Sequence, residues 1–156
     1  MEKTNTIEFV SEIFTQEDWS DLRLGSSKVK NYLKKLIPLE EVVANRFIPL
    51  FDGDKLKIVH LLTLTPFVLY HSYIAEGMFE IREIPIVDLS IKANFFFGSK
   101  KEIKKIIVHF DVGDTNPDGS KKIHTLSVPA ELENHVLTFM NLINKFKLEY
   151  FRHENY

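Results

Sequence analysis

The sequence predicts an α+β protein: a seven-stranded antiparallel meander covered by a C-terminal amphipathic helix and preceded by a helical extension. Three observations carry that reading. Between Glu40 and Val128, short apolar runs alternate with turn signals such as Asp52-Gly53, Glu76-Gly77 and Pro117-Asp118-Gly119. Between Val128 and Phe151, Leu132, Val136, Phe139, Met140, Ile143 and Phe146 recur at steps of three and four, which is one face of a helix. Before Pro38 the spacing is helical as well.

Ile7, Phe9, Val10, Ile13 and Phe14 form the first helical pattern, with Thr6 placed to cap it. Gln16 to Leu24 is acidic, carries the only tryptophan, Trp19, and reads equally as a helical turn or a loop. Gly25-Ser26-Ser27 breaks the pattern and offers another N-cap. Lys28 to Ile37 then puts Val29, Tyr32, Leu33 and Leu36 on one side and Lys28, Lys34 and Lys35 off it, until Pro38 ends the helix. Residues 1–37 are expected to be a helical hairpin appended to a main domain of residues 38–151, with 152–156 as a tail.

The expected strands are Val42–Phe51, Leu56–Thr65, Phe67–Ala75, Phe79–Val87, Leu89–Phe97, Glu102–Val112 and Lys121–Val128. Pro85 cannot donate to a ladder, so the fourth strand needs an edge or a bulge there. Asn116-Pro117-Asp118-Gly119 has Pro second and Gly fourth, which suits a type I turn with a following bulge. Strand twist lets such a meander bend into two near-orthogonal sheets, leaving a corner for the Val128–Phe151 helix. Pro129 suits its first position, Glu131 and Glu133 its positive end, and Lys145 and Lys147 its negative end.

The run Thr65-Pro66-Phe67-Val68-Leu69-Tyr70, followed by Ile84-Pro85-Ile86-Val87-Asp88-Leu89, resembles the middle strands of the pleckstrin-homology (PH) superfold. Together with the strand count and the terminal helix, it resembles in particular the PH-like domains found in bacterial proteins, over roughly Pro38 to Tyr150. The resemblance implies a seven-stranded PH-like barrel closed by the C-terminal helix. It also implies the use to which such folds are put, docking by strand addition or by grooves beside that helix. In lipid-binding members, basic residues around the first strand-to-strand loop grip headgroup phosphates. Here that loop is Asp52-Gly53-Asp54, whose carboxylates repel phosphate, so no phosphoinositide specificity is expected.

With 156 residues and 44% apolar content the chain suits one compact domain, and its thirteen Phe either fill a core or line a lipophilic interior. A net charge of −2 gives no global pull towards nucleic acid, and none is expected as a partner. The absence of Cys excludes disulfides and thiol chemistry and leans towards a reducing compartment, hence a cytoplasmic location. Met1 to Val10 has no apolar signal-peptide core, and no apolar run reaches the roughly eighteen residues of a membrane span.

The chemistry is sparse. The six His show no H-E-x-x-H or H-x-H spacing, and only His109 and His124, flanking one hairpin loop, could face each other. Asp114 to Gly119 follows the first half of a calcium loop, but its twelfth position is Thr125 where a bidentate Glu is needed. No G-x-S-x-G, triad context or phosphate loop is present. No enzymatic activity, cofactor or metal is therefore expected. The expected function is a non-enzymatic protein-interaction module that binds a protein partner or itself, with Phe9, Phe14 and Trp19 as aromatic anchors. The alternative is weak docking on an anionic membrane surface through Lys28, Lys34 and Lys35 or through Lys100, Lys101, Lys104 and Lys105. A carrier of small lipophilic ligands comes third.

Overall fold

The computed structural model describes residues 5–154. Three helices come first: α1 (Thr6–Ile13), α2 (Gln16–Leu22) and α3 (Ser26–Leu36). Seven strands follow: β1 (Ala44–Asp52), β2 (Lys55–Leu64), β3 (Val68–Ala75), β4 (Met78–Pro85), β5 (Ser90–Phe97), β6 (Ile103–Thr115) and β7 (Lys121–Val128). Helix α4 (Glu133–Glu154) ends the described chain. The strands make two antiparallel sheets, ordered β1-β2-β3-β4 and β5-β6-β7, and among the described residues no ladder closes them into a single barrel. The ladder stops at Pro85, which has no N–H to donate, and the chain leaves β4 through a 3-10 turn at Ile86–Asp88.

The chain divides into two compact units, Met1–Glu83 and Ile84–Tyr156. The expected boundary at residue 38 falls inside the first unit. The three helices are not an appendage but share a core with the first sheet. Val10, Leu22, Val29 and Leu33 from the helices are buried with Leu56, Val59, Leu61 and Ile74 from the strands. The physical reason is the half-apolar character of each element: one helix stripe and one sheet face each need a cover, and here they cover each other.

Capping explains where the helices start. Asn5, not Thr6, caps α1, its side-chain oxygen accepting from the amides of Ile7 and Glu8. Thr6 is instead buried, and its hydroxyl donates to Asn45 Oδ1 at 3.1 Å. The Thr63 hydroxyl donates to the same oxygen at 3.1 Å, so one β1 amide pins α1 to β2. The stretch left open between turn and loop is helix α2, set by a capping box in which Thr15 and Asp18 bond each other's backbone. At its end Arg23 takes a left-handed conformation, φ 56°, and turns the chain towards α3.

In the second unit β6 is central. Ile106, Val108 and Phe110 are buried on one face with Leu126 and Val128 of β7. Phe139 and Ile143 of α4 are buried as its periodicity requires. The Lys147 ammonium donates to the Leu89 carbonyl at 2.6 Å, anchoring the helix beside the start of β5. The helix begins five residues later than its pattern suggests, because Val128 completes β7 opposite Ile106 and Pro129 leads into a 3-10 turn at Ala130–Leu132. At the other end it continues through residues 152–154, expected as tail; residues 155–156 lie outside the described chain. Gly119, at φ 89°, closes the Asn116–Gly119 turn with its amide on the Asn116 carbonyl at 2.9 Å.

Candidate functional site

The β5–β6 hairpin end combines exposed aromatic rings with positive charge. Phe96 pairs with Lys105 and Phe97 with Ile103, so Lys104 is the extra residue of a β-bulge. The turn between them is held by the Gly98 amide on the Glu102 carbonyl at 2.7 Å and the Lys101 amide on the Gly98 carbonyl at 3.0 Å. Gly98 leaves room for the Glu102 and Lys104 side chains, which a Cβ there would strike. Those two ends pair at 3.8 Å. Phe96 is 42% and Phe97 64% exposed. The Lys105 ammonium lies 4.8 Å from the Phe96 ring centroid, a cation–π contact. From Phe96 to Lys105 the chain carries four lysines and one glutamate, and all four lysines are exposed.

Tyr32, 39% exposed on α3 with Lys28 and Lys35 one turn to either side, is stacked on Phe79 at 5.8 Å; the remaining exposed rings lack that company. Phe51 stands next to Asp52, and Phe67 sits in the uncharged loop Thr65–Val68, where the Thr65 hydroxyl bonds both the amide and the carbonyl of Val68 at 3.0 Å. Leu137, Leu148 and Phe151 are exposed on α4 among neutral Asn and mixed charges.

The remaining residues singled out in the sequence fall elsewhere. Phe14 and Trp19 are 6% and 7% exposed, with ring centroids 4.6 Å apart in the first unit's core. Phe9 is half-buried, edge-on to Phe47 at 5.9 Å. Expected as exposed partner anchors, Phe14 and Trp19 are instead buried in the chain's own packing, and Phe9 is partly covered by Phe47. Lys28, Lys34 and Lys35 are exposed, but helical geometry puts Lys28 and Lys35 on one flank of α3 and Lys34 on the other. Lys34 and Lys35 occupy the last turn, where they complement the helix dipole.

Among the described residues no three histidines converge on one metal centre. His109 is opposite Thr125 and His124 opposite Phe110, so the two rings leave opposite faces of the sheet. His109 Nε2 donates to Asn94 Oδ1 at 2.9 Å, and its Nδ1 lies 3.2 Å from the Thr125 hydroxyl. His124 donates to Asp114 at 2.9 Å. In the calcium-like loop, Asp118 Oδ1 instead accepts from the Ser120 amide and hydroxyl, at 2.9 and 2.6 Å. Among the described residues no group of three or more His, Asp or Glu is placed to hold a metal ion.

Sequence reasoning missed the cross-strand pair His60 and His71. Their rings stack at 5.1 Å, and His60 Nδ1 lies 2.9 Å from His71 Nε2, so one ring donates and the other accepts. Tyr73 lies edge-on to His60 at 5.4 Å. Burial holds the His60 pKa below the usual histidine value. The signal was there, since strand pairing sets His60 opposite Tyr73 and diagonal to His71, but only the register reveals it.

Comparison with known protein families, with curated proteins and with solved structures finds no match to the chain. Among the described residues no helix is long and apolar enough to cross a membrane.

Proposed function

We propose that this chain is a non-enzymatic interaction module of PH-like plan that docks through the end of its β5–β6 hairpin. The observation that carries the reading is the exposure of Phe96 and Phe97 beside Lys100, Lys101, Lys104 and Lys105. Large exposed aromatics are costly to leave in water and dominate the energetics of contacts they enter. The four-plus-three division of antiparallel strands and the terminal α4 support the PH-like reading. A chain without cysteine is suited to the cytoplasm, where we place it.

The test is capture from the soluble and particulate fractions of the source cells, with native protein, the double variant F96S/F97S, and K28E/K35E on α3. The reading predicts that native protein and the α3 variant retain the same component and that the hairpin variant loses it. Equal retention by the hairpin variant would place docking elsewhere and contradict the reading.

A further inference from the structure

Resting on that reading, we infer that the surface this hairpin end docks on is an anionic lipid bilayer. Two rings at 42% and 64% exposure stand at the end of a hairpin, within a chain segment whose lysines exceed its carboxylates by three. That pairing of chemistry matches the two layers of a bilayer interface. Aromatic rings enter the boundary between headgroup and acyl chain, and ammonium groups remain among anionic headgroups. The long lysine stems can snorkel to that level while Phe97 goes deeper.

The arrangement of the charge favours this surface over nucleic acid. A single strand is tracked by a charged groove with successive stacking rings. Here the outer face of the sheet beyond Phe96 turns to Asn94, His109 and Asp111, with Lys92 its one lysine on β5. Within β5 and β6 the positive surplus lies at the hairpin end, a point of attachment and not a track. The Asp52-Gly53-Asp54 turn of the first unit is acidic, so the recognition rests on net surface charge and insertion, without selection of a phosphorylated headgroup.

The inference is tested by sedimenting the protein with vesicles of phosphatidylcholine alone and of phosphatidylcholine with phosphatidylserine. Native protein is expected to partition onto the anionic vesicles at low salt and to be released at about 1 M, where the screening length is about 3 Å. Each lysine acts with about 1 kcal/mol near such a surface, about fivefold in partition, so K100Q/K101Q is expected to weaken binding by roughly 25-fold. F97S is expected to weaken it by on the order of tenfold. Near-UV circular dichroism of both variants should match the native spectrum, since the substituted side chains are exposed. Equal binding to both vesicle types, no binding at low salt, or binding unchanged in both variants would overturn the inference. If anionic vesicles fail while F96S/F97S still loses a component captured from the soluble fraction, the docking reading stands with a protein partner. If neither responds, both fall.

Discussion

The amide of Gly77 donates to the carbonyl of Leu22 across 2.7 Å, tying the turn between β3 and β4 to the last residue of α2. Next to it the Arg23 guanidinium donates to Glu76 at 3.1 Å. A polar seam thus continues the apolar one, and the first four strands have the helices as their partner.

A fragment beginning at Pro38 therefore loses half of the first unit's core, including Val10, Leu22, Val29 and Leu33. We expect it to lack the near-UV circular dichroism and amide dispersion of the native first unit. A fragment with native dispersion at β1–β4 resonances would contradict the shared core.

Asn45 is the acceptor for two buried hydroxyls, those of Thr6 and Thr63. Leaving a buried polar group without a partner costs about 1–3 kcal/mol. Asn45→Ala is expected to destabilise by roughly 2–4 kcal/mol in urea unfolding, and Thr63→Val by only about 1 kcal/mol. Equal effects of the two would argue against a shared acceptor.

Burial separates the two sets of aromatic rings. Trp19→Ala empties a packed core position and should cost about 3–5 kcal/mol. Phe97→Ser, at an exposed position, should change unfolding stability by no more than about 0.5 kcal/mol. The same denaturation series reads both, and a large loss on Phe97→Ser would mean that this ring is structural.

Two limbs are expected in the dependence of stability on pH. His60 is buried and its folded-state pKa is depressed, so below the unfolded value of about 6.5 the unfolded chain takes up a proton more readily than the folded one. Stability is full above that pH and falls as the pH drops through it. Glu76, Asp111 and Asp118 form the second limb. Their pKa values are held low by, respectively, the Arg23 guanidinium, the Gly113 amide and the Ser120 hydroxyl. Their contribution is present above about pH 4 and is lost as the pH falls further. Thermal unfolding across this range should show both limbs, with the first reduced in His60→Asn.

The strands were legible because alternation and turn chemistry agree. Lys121–Val128 is β7 to the residue, and Pro85 ends an edge strand as its missing N–H demands. Helix α2 was signalled by Thr15 and Asp18 three apart, although its length hid it. The partner of an apolar stripe is not written in its period. Phe9, Phe14 and Trp19 have the spacing of either a docking face or a core face, and only the fold places α1–α3 on the first sheet. The hairpin end illustrates the converse. Phe95-Phe96-Phe97 is an unbroken apolar run inside an expected strand, yet Phe96 and Phe97 are exposed at the end of β5. The lysine cluster was legible in the sequence; the exposure of Phe96 and Phe97 beside it was not.

The most direct measurement is the fluorescence of F97W, corrected by the native spectrum, where Trp19 is buried. Free in solution the new indole should emit as a water-exposed ring. With phosphatidylserine-containing vesicles the emission should shift to the blue and be quenched by brominated acyl chains, while phosphatidylcholine alone leaves it unchanged. An indole that stays water-exposed with both vesicles and with both cell fractions would contradict docking through the β5–β6 hairpin.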